Sequence, residues 1–199
     1  MRQEFVNAYT DLDKKRIRNR FLKMRETISP SLSVSESKEI VGKIQNMPIY
    51  QKAKTIMLYQ AIRGEVDSQE IINLAVKDGK KVVFPAVIDK SKKTMGAFAF
   101  SESEEAGNIV MGIKQPEIKN EISKDEIDLI VVPGVVFDED CYRVGYGQGY
   151  FDRWLKGIKK EKIVGLAYDF QIIDRVPRES FDESLGMIVS GKRIVRQKL

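Results

Sequence analysis

The residues with the strongest chemical character fall in one stretch, PGVVFDEDCYRVGYGQGYFDRWL, running from Pro133 to Leu155. Gly145, Gly147 and Gly149 stand at alternate positions there, with Arg143 and Val144 before them and Tyr150, Phe151, Asp152 and Arg153 after. Glycines spaced this way let main-chain N–H groups approach an anion, and a helix opening directly after them adds the positive end of its dipole. The ligand this implies is a phosphate, with Arg143 as a supporting cation. Asp152 beside a phosphate is repulsive unless a cation bridges the two, which points to Mg²⁺. The plainer reading of Asp152 is a helix-start carboxylate favoured by the macrodipole. For the whole stretch the bland alternative is a flexible loop, against which its aromatic and charged neighbours weigh.

Two further groups carry charge at suggestive spacings. Residues 11–28 read as an amphipathic helix with Ile17, Phe21, Met24 and Ile28 as its apolar stripe. Lys14, Arg18 and Arg25 fall on a second row, roughly 70° round from that stripe at about 100° per residue. Cations there sit at the rim of the packing surface, within reach of a cleft, although a solvated basic face is the simpler reading of spacing alone. The segment Gln60–Asp67 carries Arg63, Glu65 and Asp67. Glu65 either accepts hydrogen bonds from a ligand nitrogen or is merely exposed.

Several chemistries are excluded. The chain has no histidine, which removes His-based triads, His general bases and most catalytic zinc sites. Gly107 and Gly112 have P-loop spacing, but Ile113 stands where the lysine belongs. In GYGQGY the third glycine comes one residue early for a Rossmann fingerprint. Cys141 is the single cysteine, so no intrachain disulfide forms, and the chain suits a reducing cytoplasm. A net charge of +5 on interleaved Lys, Arg, Asp and Glu gives no nucleic-acid motif, and no apolar run approaches a membrane span.

The elements that must hold these groups follow from periodicity. After the first helix, closed by Ser29-Pro30, a Ser33–Glu36 capping box opens a second helix that Pro48 ends. Strands are expected at Thr55–Tyr59, Lys81–Phe84 (stopped by Pro85), Met95–Phe100, Leu129–Val132, Lys162–Ala167 and Met187–Val189. Met95–Phe100 should pair as a hairpin with its predecessor, the gap being too short for a crossover. A helix spans Ser68–Asp78, with Gly79 just past its end. Residues 101–127 are polar, with Glu102, Glu104 and Glu105 clustered. The result is one α/β domain over 11–199, a mostly parallel or mixed sheet with helices on both faces, after a lead-in at 1–10. In such sheets ligands collect beyond the carboxyl ends of the strands, where Gln60–Asp67 and the glycine stretch both fall.

The run from Pro133 to Leu155 resembles the signature of the 5-formyltetrahydrofolate cyclo-ligase family. KKRIRNRFLKMRETIS, from Lys14, is similar to that family's N-terminal helix; YQAIRGEVDSQEII, from Tyr59, and GIKQPE, from Gly112, also match, so the likeness covers nearly the whole chain. It implies ATP-dependent cyclisation of 5-formyltetrahydrofolate to 5,10-methenyltetrahydrofolate, with Mg²⁺ as cofactor and release of ADP and phosphate. Residue by residue, it implies ATP contacts from Lys14, Arg18, Arg143, Val144, Gly145, Tyr146, Gly147, Gln148, Gly149, Tyr150 and Phe151. Arg143, Gly147 and Tyr150 would frame the phosphoryl-transfer site. Folate would meet Glu65, Gln60, Met111 and again Tyr146, Gly147, Gln148, Gly149 and Tyr150. Asp152 would hold the metal. Some members have a second metal-linked aspartate where this chain has Gly186, leaving Asp182 as a nearby substitute. Others place Arg and Lys where Tyr146 and Gln148 stand, which shifts phosphate binding toward Arg143 and the amides. Partners are then small molecules alone, for a monomeric cytoplasmic enzyme. The competing readings are a non-catalytic folate or nucleotide binder, a sugar-phosphate isomerase-like enzyme and a charge-driven nucleic-acid binder. Ligand binding without ADP release, activity indifferent to Lys14→Ala with Arg18→Ala, and steep salt dependence would mark them in turn.

Overall fold

Uninterrupted Val, Ile and Leu runs have apolar side chains on both strand faces and need cover on both sides. A computed structural model of the chain describes residues 11–99, 109–110, 113–114, 116 and 118–198. The expected lead-in, the glutamate cluster and Met111 lie outside them. In chain order come α1 (Asp11–Glu26), α2 (Pro30–Gln45), α3 (Pro48–Lys52), β1 (Thr55–Met57), α4 (Gln69–Lys77), β2 (Lys81–Asp89) and β3 (Thr94–Ala99). There follow β4 (Ile109–Val110), β5 (Ile113–Lys114), β6 (Leu129–Val132), β7 (Val136–Asp138), β8 (Arg143–Val144) and α5 (Tyr150–Leu155). Last are β9 (Ile163–Leu166), β10 (Ile172–Ile173), β11 (Met187–Val189) and β12 (Ile194–Arg196).

Seven strands form the central sheet in the order β12-β11-β9-β6-β1-β2-β3. The inner five run parallel, and antiparallel β3 and β12 close the edges, so the expected mixed, mostly parallel α/β sheet is observed. β6 divides the core by its period of two. Leu129 and Val131 pack with Ile40 and Ile44 of α2 and Ile71 of α4, whereas Ile130 and Val132 pack with Phe137 and with Trp154 and Leu155 of α5. A smaller sheet, β10-β7-β8, lies beside α1, where Phe21, Val136, Val144 and Val176 form a third cluster.

Local structure departs from expectation where proline and polar residues find tertiary partners. Ser29 does not simply close α1. It caps α2, accepting from Leu32 N–H, with Pro30 at the first helical turn, where its missing N–H costs nothing. The Ser33–Glu36 box is therefore interior to α2; Ser33 pairs with the Tyr168 hydroxyl and Glu36 accepts from Asp169 N–H. Pro48 opens α3. Pro85 does not stop β2, because its nitrogen, which has no hydrogen to donate, faces the side of β1, whose pairing has already ended, while β2 runs on in register with β3 from Phe84 through Ala86. The loop after Pro133-Gly134 is a hairpin, β7–β8, gathered on one carboxylate: Asp138, fully buried, accepts from Asp140, Tyr142 and Val176 N–H and from Arg178. On α1 the stripe turns inward at Phe21, but Met24 is 36% exposed and Arg25 only 2%. Arg25 is buried because it finds polar partners inside.

Candidate active site

The carboxyl ends of β1 and β6 and the later half of β2 open onto one cavity of about 410 Å³. The glycine loop forms one wall. Gly147 and Gly149 have φ of +95° and +65°, conformations costly for residues with a Cβ. A Cβ on Gly147 would lie 3.1–3.3 Å from the Arg18 guanidinium, and one on Gly149 would lie 3.0 Å from an Arg153 nitrogen. The loop is thus bare where cations approach it. Arg18 Nε donates to the Gly145 carbonyl at 2.6 Å. Arg153 donates to the carbonyls of Gln148 and Lys93, tying the loop to the β2–β3 turn. Arg143 is buried over the Phe151 ring and donates to Asp152 at 3.2 Å, and its Nε has no hydrogen-bond partner. A buried, partly unsatisfied guanidinium beside bare glycines suits an anion.

Lys14 faces the same cavity but is engaged. Its ammonium donates to Glu179 at 2.6 Å and to both Asp182 oxygens at 2.6 and 2.9 Å, with the Phe181 ring 5.4 Å away. Burial pulls its pKa down, but the bonds to Asp182 and Glu179 outweigh that and hold it above the usual lysine value. The ammonium stays charged.

The opposite end is acidic. Arg63 and Gly64, with φ of +47° and +70°, form a tight turn closed by Glu65 N–H donating to the Ile62 carbonyl at 2.9 Å. That turn aims Glu65, 6% exposed, into the cavity. One Glu65 oxygen accepts from Ile62 N–H at 3.0 Å and the other from the Tyr146 hydroxyl at 2.8 Å. A carboxylate has about four acceptor sites, so each oxygen retains one. Burial raises the Glu65 pKa, against the lowering effects of those two bonds and of Arg25 and Arg63. Tyr59, Phe84, Pro85, Val87, Met95 and Pro133 supply apolar walls between the two ends.

The sequence profile of the 5-formyltetrahydrofolate cyclo-ligase family matches residues 11–191. The chain belongs to this family. It is 30% identical over 190 residues to the probable 5-formyltetrahydrofolate cyclo-ligase of Schizosaccharomyces pombe, covering 87% of this chain and 91% of that protein. The NMR structure of Aquifex aeolicus 5,10-methenyltetrahydrofolate synthetase superposes with a TM-score of 0.79 at 30% identity, over 92% of each chain. The corresponding synthetase from Mycoplasma pneumoniae gives 0.71 at 26% identity, over 90% of this chain and 99% of that one. The protein is accordingly a ligase that cyclises 5-formyltetrahydrofolate to the 5,10-methenyl form at the expense of ATP.

One cavity is lined by most of the residues that the resemblance singles out. Lys14, Arg18, Gln60, Glu65, Arg143 to Asp152 and Asp182 all line the cavity, although both Asp182 oxygens are taken by Lys14 and one also by Glu179 N–H. No cluster of three or more metal-ligating side chains occurs among the described residues. Gly186 admits no side chain at all: a Cβ there would sit 2.1 Å from the Lys160 carbonyl oxygen. Sequence reasoning passed over Lys93, Glu179 and the β2–β3 walls as site residues, and gave Arg153 only as a charged neighbour of the glycines. Lys93, Glu179 and the walls have no motif and reach the cavity only through the tertiary fold. Arg25 did leave a trace, on the same helical row as Lys14 and Arg18. Cys141 is buried, its thiol pushed up to about 12 by burial and nearby Asp138, in keeping with an incidental role.

Proposed function

We propose that the triphosphate of ATP lies along Gly145–Gly149, steadied by Arg143, Arg18 and Lys14, and that the folate lies across the apolar walls with its pterin end on Glu65. The observation that carries this reading is that one cavity holds a cation-lined glycine loop and, across apolar walls, a buried carboxylate with one acceptor site left on each oxygen. The pterin edge offers a ring N–H and an adjacent amino group, a donor pair that matches two parallel carboxylate acceptors. Phosphoryl transfer asks for positioning and charge neutralisation more than for covalent help, which suits a chain without histidine.

In the proposed sequence the formyl oxygen attacks the γ-phosphorus and ADP departs. N10 then attacks the activated carbon and gives up its proton to solvent, and the phosphate leaves with the former formyl oxygen. Arg143, Gly147 and Tyr150 border the transfer. Magnesium is commonly held by one or two carboxylates together with substrate phosphates. Asp152, whose partner is Arg143, fits such a role better than Asp182, which Lys14 holds through both oxygens, and the bound ion would neutralise phosphate charge there. The reading includes a monomeric cytoplasmic enzyme without nucleic-acid or membrane partners; no helix among the described residues is long and apolar enough to cross a membrane. Following methenyltetrahydrofolate absorbance with and without ATP and Mg²⁺ tests it. Absorbance should grow only with both present, and a folded protein that binds folate and ATP without releasing ADP would overturn it.

A further inference from the structure

Arg25 is the most deeply buried arginine of the site, at 2% exposure, and no carboxylate among the described residues lies within ion-pair distance of it. It donates instead to the Gly134 carbonyl at 3.1 Å and to the Tyr146 hydroxyl at 2.6 Å. A phenol has one proton to give, and Tyr146 gives it to Glu65 at 2.8 Å. The three groups therefore form a directed chain, guanidinium to phenol to carboxylate, linking α1, the glycine loop and the turn after β1. A buried charge without a counter-charge is strongly destabilising. Here the counter-charge of Arg25 is Glu65, one hydroxyl away. The Arg25 and Arg63 guanidinia also flank the Tyr146 ring at 5.7 and 5.6 Å, so the positive charge at this point comes from α1 and the turn rather than from the loop itself.

We propose that Arg25 and Tyr146 are a positioning relay that holds the Glu65 carboxylate in register for the donor pair of the folate. The inference rests on Glu65 being the folate-binding carboxylate. Tyr146 fixes one oxygen and Ile62 N–H fixes the other, so the two remaining acceptor sites point into the cavity in a set geometry. The groups that face Glu65 are Tyr146 from the loop, Arg25 from α1, Arg63 and Ile62 N–H from the turn, and Tyr59 after β1; Tyr168 holds its backbone carbonyl. Burial pushes the Glu65 pKa up, and the Tyr146 bond and the Arg25 charge pull against it. Tyr146 itself stays protonated, pushed up to about 12 by burial and by Glu65. Loss of either relay member leaves Glu65 easier to protonate.

The test is calorimetric binding of 5-formyltetrahydrofolate without nucleotide between about pH 5 and 8.5, alongside steady-state kinetics at saturating ATP. Tyr146→Phe should weaken folate binding roughly 10-fold, raise folate KM more than it lowers kcat, and move the acid limb of binding to higher pH. Arg25→Met should shift the limb in the same direction, and Arg25→Lys should restore part of the shift. A folded Tyr146→Phe protein, or a folded Arg25→Met protein, whose acid limb coincides with wild type would overturn the relay. Glu65→Gln separates the two layers of the argument. If it binds folate as wild type does, the folate assignment itself falls. If it binds weakly with a flat pH profile while the Tyr146→Phe limb stays in place, the relay alone falls.

Discussion

Arg18 and Gly147 meet at a point where a single added carbon matters. At φ +95°, and with the Arg18 guanidinium 3.1 Å from any Cβ, Gly147→Val should abolish ATP binding while the fold persists. Nucleotide titration beside a circular-dichroism melt checks this, and unfolding in parallel with lost binding would argue against it. Lys14→Met removes an ammonium bonded to two carboxylates and should raise ATP KM roughly 10- to 100-fold, the worth of a charged hydrogen bond. An unchanged KM would show that Glu179 and Asp182 keep Lys14 from the nucleotide. The nature of these residues was legible in the sequence, since glycine spacing and cation type announce an anion site. Their engagement was not, because the partners of Lys14 lie 165 and 168 residues away along the chain.

The β7–β8 hairpin shows how an element is held when its own sequence is weak. Its strands are three and two residues long, too short to stand alone, and Cys141 in its turn adopts φ +64°. Asp138 compensates by accepting four hydrogen bonds, one of them from Arg178 at 2.7 Å. Asp138→Asn removes the buried one of the two carboxylates that hold Arg178, leaving it Asp140 alone, and turns the amide NH2 toward N–H donors that the carboxylate had satisfied. The expected loss is about 1–3 kcal/mol, read from urea unfolding, with a matching loss of activity because Arg143 belongs to β8. In the sequence this segment reads as a polar loop, Asp138-Glu-Asp140, for the good reason that its apolar neighbours are only a few residues long. The same holds for Pro85, which breaks a strand locally yet is accommodated once β1 stops short beside it.

For the molecule as a whole, the cost of the site should appear in its stability against pH. Glu65 has a folded pKa above its unfolded value, so the native state binds the extra proton between the two values and stability from this group falls as pH rises through them. Glu65→Gln lacks that loss. The melting temperature of Glu65→Gln relative to wild type should therefore climb as pH is raised from about 4, and level off once Glu65 is fully ionised in the native protein. A difference that is flat with pH, or shrinks as pH rises, would contradict the placement of Glu65 in a desolvated pocket. The sequence by itself determined the kind of chemistry, through glycine spacing and the absence of histidine, and the α/β class, through apolar runs flanked by helical periods. These are local properties, set by neighbours within a turn or a strand. Only the tertiary structure decided which cations meet the glycines, that Arg25 is buried while Met24 is exposed, and that no side chain fits at Gly186. Burial and polar partners come from residues distant along the chain, as Arg25 and Gly134 do at a separation of 109, and no local pattern encodes them.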